Sequence, residues 1–219
     1  MIITIDGPAA AGKGTLAATL AEKYRLAYFD TGMVYRAVGL EMVLQELDVH
    51  DQDSAARIAS EMTFVKMMEL SRHPDFRTDI GGQAASIVSA HPAVRSALLK
   101  MQQDFSHNPT FADGTPANGA VYDGRDTGTV VCPDADIKFF ITAGPEVRAK
   151  RRYDEFVQKG VAADFEKVLA DMIARDKRDS ERATAPLKPA DDAVILDTSA
   201  LTADQVAEQT VAYIEAHRH

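Results

Sequence analysis

The chain has 219 residues, a formal net charge of −9, 46% hydrophobic residues and one cysteine, Cys132. That length fits one compact unit with small insertions, and the acidic balance argues against a general nucleic-acid binder. A lone cysteine excludes an internal disulfide and fits a reducing compartment. No apolar stretch approaches membrane-spanning length, and the first residues already read as a core strand instead of a signal peptide, so a cytoplasmic enzyme is expected.

Met1–Asp6 is an apolar run. It leads into Gly7-Pro8-Ala9-Ala10-Ala11-Gly12-Lys13-Gly14-Thr15, and Leu16–Ala21 then reads as a helix. Strand, glycine loop, helix is the context a phosphate-binding P-loop requires. The glycines let backbone N–H groups curl around an anion. The helix N-terminus adds partial positive charge at the same place. Lys13 is the candidate for the outer phosphates and Thr15 for Mg²⁺. The hydroxyl comes one place later than in the generic pattern, because Gly14 follows the lysine. The loop points to a nucleoside triphosphate and leaves the acceptor open.

Leu26–Asp30 reads as a second buried parallel strand. It ends in Asp30-Thr31-Gly32, at the carboxyl end where ligands bind in open α/β sheets. Met33–Leu47 has helical spacing, with Tyr35 a candidate for the core and Arg36 read from position alone as a solvated charge. Asp51–Met62 reads as another helix. Thr63–Asp79, which contains Pro74, has no clean period and reads as irregular. Gly81-Gly82 opens a small-residue helix over Gln83–Ala90. Pro92 suits the first turn of a helix running to Phe105, with Arg95 assigned locally to its surface. The stretch from Ser106 to Gly119 reads as a loop.

Ala120–Asp123 is the third strand candidate, followed by Gly124-Arg125-Asp126-Thr127-Gly128-Thr129. Asp123 sits where a P-loop enzyme places an acidic residue near Mg²⁺; capping of the turn is the simpler alternative. Ile137–Thr142 is the fourth strand. Pro145–Lys159 is a helix with Arg148, Lys150, Arg151 and Arg152 near its start, where cations oppose the helix dipole. An anionic ligand explains them, and so does an exposed face balanced by Asp154 and Glu155. Asp164–Arg178 is a second amphipathic helix that runs into the charged stretch Arg175–Arg182. Two helices placed between strands in this way suit a phosphate-covering lid. Ala193–Thr198 is the fifth strand, and Thr202-Ala203-Asp204-Gln205 is a capping box for the last helix. His217-Arg218-His219 reads as a frayed end in preference to a metal site.

Taken together, these residues resemble the bacterial cytidylate kinases, a branch of the nucleoside monophosphate kinases, nearly from end to end. The resemblance is carried by Ile3–Pro8 with Gly12–Thr15, by Asp30-Thr31-Gly32 with Tyr35-Arg36, by Gly124–Val131 with Pro133-Asp134-Ala135, and by Arg175-Asp176 through Arg182 with Ala185-Pro186-Leu187. The last two stretches are far more specific than the loop. The Gly14 displacement is the form found in monophosphate kinases. The resemblance implies a P-loop three-layer α/β/α fold with a five-stranded parallel sheet, a monophosphate-binding insert over 33–107 and a helical lid over 148–186. It implies transfer of the ATP γ-phosphoryl group to CMP or dCMP. Gly7 through Thr15 hold ATP, with Arg151 and Arg152 approaching it from the lid. Lys13 is catalytic, and Arg36, Arg125 and Arg182 clamp the acceptor phosphate. Thr31, Arg95 and Asp126 read the cytosine, with Tyr35 beside them, and Ser86, Arg175 and Asp179 surround the ribose and the lid. Mg²⁺ is held directly by Thr15 and through water by Asp123.

The chemistry of the base agrees with this. Cytosine offers an exocyclic amine donor beside ring acceptors, so a carboxylate and a hydroxyl suit the amine and an arginine suits N3 and the carbonyl. Uracil reverses that edge, and a site built for a hydrogen bond rejects a mismatched partner. Three departures stand out. Thr63–Asp79 is too short and irregular for a full version of the small β-sheet of the family's insert, Thr31 stands where serine is common and keeps the hydroxyl, and the loop from Asn108 to Gly119 is longer than usual. The alternatives are a P-loop kinase for UMP, AMP or a small metabolite, and a nucleotide-dependent switch; the guanine-reading NKxD stretch of GTPase switches is absent. A monomer acting on small molecules, without nucleic acid or membrane, is expected.

Overall fold

The computed structural model describes residues 1–217. The C-terminal reading of His217-Arg218-His219 therefore lies partly outside the described residues. The chain divides into two compact units, and each is described by itself. The first comprises Met1–Phe29, Pro109–Glu181 and the chain from Ala185 on; the second comprises Asp30–Asn108 and Arg182–Thr184.

The first unit is built on a five-stranded sheet of order β2-β3-β1-β4-β5, with β1 Ile2–Asp6, β2 Ala27–Asp30, β3 Ala120–Gly124, β4 Ile137–Thr142 and β5 Val194–Asp197. The registers β1–β3, β1–β4 and β4–β5 are parallel. All five strand candidates are therefore strands, in the P-loop α/β/α architecture. Alternation along β1 sorts its side chains. Ile3 and Ile5 join the core formed with α1 (Lys13–Tyr24) and α9 (Ala203–His217), where Leu16, Leu20, Phe139, Ile141, Val206 and Ile214 are buried. Thr4 and Asp6 point to the opposite face, toward Gly128. On the edge strands, Tyr28 of β2 and Ile195 of β5 are exposed. Cys132 is buried.

The charged helical pair is α7, Pro145–Gln158, and α8, Phe165–Glu181, both in the first unit. The last helix starts on the reciprocal cap expected of it. Gln205 N–H donates to Thr202 Oγ1 at 3.2 Å, and Thr202 N–H to Gln205 Oε1 at 3.0 Å. The loop before β3 is partly built: Thr110 and Pro116 form an antiparallel bridge.

The second unit is helical: α2 Gly32–Leu44, α3 Gln52–Glu61, α4 Phe64–Leu70, α5 Asp79–Val88 and α6 Pro92–His107. Thr63–Asp79 is more ordered than its sequence pattern suggests. Thr63 caps α4 by accepting from Lys66 N–H, and a 3₁₀ turn, Pro74–Arg77, buries Phe76 completely. Short helices of one or two turns give too few residues for a period to register. Gly81-Gly82 lies inside α5, which starts two residues earlier at Asp79. Both glycines are buried there, so tertiary packing overrides their low helix propensity.

Candidate active site

The glycine loop joins β1 to α1. Gly7 has φ 145°, and a Cβ there would lie 1.9 Å from the Ile141 carbonyl oxygen on β4. No side chain fits, so the loop leaves the sheet against the neighbouring strand's backbone. Gly12 precedes α1 without a capping side chain, and no acidic residue occupies the first turn of the helix. The first N–H groups and the positive helix end are thus left for an anion. Lys13 is 6% exposed; its Nζ donates to the Pro8 carbonyl at 3.0 Å and lies 3.6 Å from Asp123 Oδ1. A charged amine buried this deeply needs such partners, and they hold it over the loop.

Asp123, near the end of β3, also receives Tyr28 OH at 3.5 Å. A Cβ on Gly14 would lie 3.3 Å from Asp123 Oδ2 and 3.6 Å from the Tyr28 hydroxyl. This close approach explains why glycine follows the lysine and the hydroxyl waits until Thr15. The carboxylate of Asp123, on β3, and the hydroxyl of Thr15, in the first turn of α1, are hard oxygen donors of the kind Mg²⁺ takes, so their chemistry fits that ion.

After β3 the chain makes a single π-helical turn, Thr127–Val131. Asp6, at the end of β1, anchors it. Its Oδ1 accepts from Thr127 N–H and Thr127 Oγ1, and its Oδ2 from Gly128 N–H, each at 2.8 Å. Burial raises the Asp6 pKa to about 6; the bonds from Gly128 and Thr127 pull it down, and the charge of Asp126 adds to the rise. Asp126 is 5% exposed. Its carbonyl is bonded by Val130 N–H at 2.9 Å, Val131 N–H at 3.3 Å and Thr129 Oγ1 at 3.3 Å.

Arg125 lies against α8. Its Nε donates to Asp179 at 3.1 Å and its Nη1 to the Gly124 carbonyl at 3.1 Å, while Arg175 Nε lies 4.0 Å from the same Asp179 carboxylate. Burial pulls the Arg125 pKa down, and the carboxylates of Asp179, Asp123 and Asp176 more than offset it, so the guanidinium stays charged.

Two of the cations of α7 follow the balanced-face reading and two do not. Lys150 pairs with Asp154 and Arg152 with Glu155, forming the balanced outer face. Arg148 and Arg151 turn to backbone. Arg148 donates to the carbonyls of Ala143 and Ala9 at 2.8 and 3.2 Å and to Asp176 at 2.6 Å. Arg151 donates to the Thr198 carbonyl at 2.7 Å and reaches the Ala11 carbonyl at 3.5 Å. Thr198, 2% exposed, donates to Ala11 and Thr142 carbonyls from its own hydroxyl. Of the two lid arginines expected to approach ATP, Arg151 touches the loop and Arg152 lies over the Phe156 ring, 4.4 Å from its centroid.

In the second unit, Thr31 is buried at the start of α2 and Ser86 is buried on α5. Arg36 is half-buried and donates to the Phe76 carbonyl at 3.0 Å. Arg95 is 6% exposed; its guanidinium lies 5.1 Å from the Tyr35 ring centroid and donates to the Ser89 carbonyl at 3.1 Å. Both arginines therefore correct the local surface assignment. A periodicity argument places the Cα and misses where a long guanidinium stem folds back. Arg182 groups with this second unit.

Gly7–Thr15, Asp123, Arg125, Asp126, Arg151, Arg152, Arg175 and Asp179 thus belong to the first unit, while Thr31, Tyr35, Arg36, Ser86, Arg95 and Arg182 belong to the second. Asp6, Tyr28, Asp176 and Thr198 were not assigned site roles from the sequence, and Arg148 was named only among the cations that an anionic ligand would explain. Asp6 carried one signal, a carboxylate ending an apolar strand directly before the loop.

A glycine loop feeding a helix from a parallel sheet, with a buried lysine and a facing carboxylate, defines a P-loop nucleotide-binding enzyme. Within that class, the chain belongs to the cytidylate kinase family, whose family model matches residues 3–216. It is 47% identical to a cytidylate kinase of Rhodopseudomonas palustris, over 100% of this chain and 97% of that one. It is 50% identical to a cytidylate kinase of Rhodospirillum rubrum, over 94% of this chain and 92% of that one. Among solved structures, an uncharacterized protein from Eubacterium ventriosum shares the fold, with a TM-score of 0.50 and 17% identity over 99% of this chain and 98% of its own.

Proposed function

We propose that this enzyme transfers the γ-phosphoryl group of ATP to CMP or dCMP, giving CDP or dCDP. The observation that carries the reading is Asp126, a buried carboxylate held by its own backbone and beside Arg125, just after the strand next to the P-loop strand. A fixed acceptor pairs with the cytosine amine and repels the uracil carbonyl.

An oxygen of the acceptor phosphate attacks the γ-phosphorus in line, and ADP leaves with the bridging oxygen. Little covalent chemistry falls to the protein, so positioning and charge do most of the catalysis. Gly7–Thr15 hold the donor phosphates by backbone N–H groups, and Lys13 carries its charge to them. Arg36, Arg125 and Arg182 offset repulsion at the acceptor phosphate. Thr31 and Arg95 read the base with Asp126, with Tyr35 supporting Arg95. Ser86, Arg175 and Asp179 serve the ribose. Thr15, directly, and Asp123, through water, would hold Mg²⁺, which would supply positive charge against that developing on the phosphates. Residues 33–107 act as the monophosphate-binding region and 148–186 as the lid, with Arg151 and Arg152 toward ATP; closing excludes water from the transfer. No helix among the described residues is long and apolar enough to cross a membrane; a cytoplasmic monomer completes the reading.

Steady-state turnover across the nucleoside monophosphates tests it. CMP and dCMP are expected to be far better acceptors than UMP and AMP. Equal turnover on all four would refute the assignment.

A further inference from the structure

We infer that Asp6 is a positioning residue for recognition of the acceptor base, not merely part of the entry to the P-loop. The inference rests on the proposed role of Asp126 as the base-reading carboxylate.

Asp6 ends β1 immediately before Gly7, yet its side chain does nothing in the loop. Alternation along the strand turns it to the face opposite Ile3 and Ile5. There it gathers three hydrogen bonds from two consecutive residues, Thr127 and Gly128, more than 120 positions away in sequence. Those residues directly follow Asp126. The π-helical turn they begin also closes on the Asp126 carbonyl. Asp126 is thereby held from both sides: its carbonyl by the turn, and its onward peptide by Asp6.

The turn has no slack. A Cβ on Gly128 would lie 2.9 Å from Thr4 Oγ1, 3.2 Å from Lys138 Cδ and 3.4 Å from Asp6 Oδ2. It packs against side chains of β1 and β4, beside the carboxylate that holds it. A carboxylate suits this task because it accepts on both oxygens at once. An asparagine keeps the size but presents an N–H₂ to one of the donors, which sets two donors against each other. The geometry then shifts at the Thr127–Gly128 peptide, one residue from Asp126. Charged groups near Asp6 are Asp126, which faces it electrostatically, and Lys138, whose stem flanks Gly128.

A residue that only shaped the loop would affect ATP. A residue that positions Asp126 affects the choice between CMP and UMP. For Asp6→Asn, the ratio of kcat/KM for CMP over UMP is expected to fall about tenfold, the scale of one misplaced polar contact, with KM for ATP changed less than about twofold. Thr127→Val removes one of the three bonds and leaves the carboxylate; its ratio is expected to fall about threefold, a partial loss of one hydrogen bond. An unchanged ratio in Asp6→Asn, or a rise in KM for ATP matching that for CMP, overturns the inference. If Asp6→Asn does not fold, Thr127→Val decides alone, and an unchanged ratio there overturns it. Asp126→Ala separates the two readings. If Asp126→Ala keeps wild-type discrimination, the base-reading role fails, and the inference with it. If Asp126→Ala loses discrimination while Asp6→Asn and Thr127→Val keep it, only the inference fails.

Discussion

Asp179 of α8 accepts a hydrogen bond from Arg125 Nε at 3.1 Å, and the same carboxylate lies 4.0 Å from Arg175 Nε. One buried acid, 4% exposed, thus holds two guanidiniums beside the end of β3. Removing one partner of such a group leaves uncompensated charge. Asp179→Asn is expected to lower stability by about 2–3 kcal/mol and to raise KM for CMP roughly tenfold. Chemical denaturation and initial rates check the two effects separately.

Gly14 lies where a methyl group would press on Asp123. The Cβ of Gly14→Ala would stand 3.3 Å from Asp123 Oδ2, so the carboxylate must yield by a few tenths of an ångström. Helix propensity favours alanine, and the fold is expected to be as stable as before. Turnover is expected to fall about tenfold through a misplaced Asp123, with the Mg²⁺ requirement moved to higher concentration. A Mg²⁺ titration of rate at fixed ATP reads this directly.

Thr4 is fully buried and its hydroxyl has no hydrogen-bond partner. An unsatisfied buried hydroxyl is destabilising, and valine has nearly the same shape. Thr4→Val is expected to stabilise the protein by about 1 kcal/mol, read as a higher denaturant midpoint with an unchanged slope.

The raised pKa of Asp6 has a defined sign. Burial takes it from 3.8 to about 6, so between those values the folded state holds a proton that the unfolded state has lost. Its contribution to stability is fully present below 3.8 and is lost as pH rises through about 6. The stability gap between wild type and Asp6→Asn is therefore expected to widen as pH falls through this window, by up to ~3 kcal/mol. Urea denaturation of both proteins at a series of pH values measures it. A gap that narrows toward low pH contradicts the assignment.

Much of this was legible in the sequence for reasons that can be stated. Buried parallel strands are short apolar runs, and Asp30-Thr31, Asp123–Asp126 and the glycine loop from Gly7 stand out at their carboxyl ends, where open α/β sheets place ligands as a rule. The Thr202–Gln205 cap was readable because its signal is local. What escaped was non-local. Arg95 looks like a surface charge from helical phase, yet its guanidinium folds over Tyr35, sixty residues earlier in the chain. Asp6 reads as the end of a strand until Thr127 and Gly128 are seen to meet it. Phe76 sits in a stretch without period, but its complete burial orders that stretch. Pattern arguments see neighbours three or four positions apart, and these contacts join elements that only the fold brings together.

The burial of Cys132 has a practical consequence. It is the chain's sole cysteine and is 7% exposed, so a cysteine introduced at any solvent-facing position becomes the preferred target of a thiol-reactive dye. Fluorophores can be attached, one to each unit, on an otherwise native background. Single-molecule energy transfer would then report whether the distance between them changes when nucleotides are added.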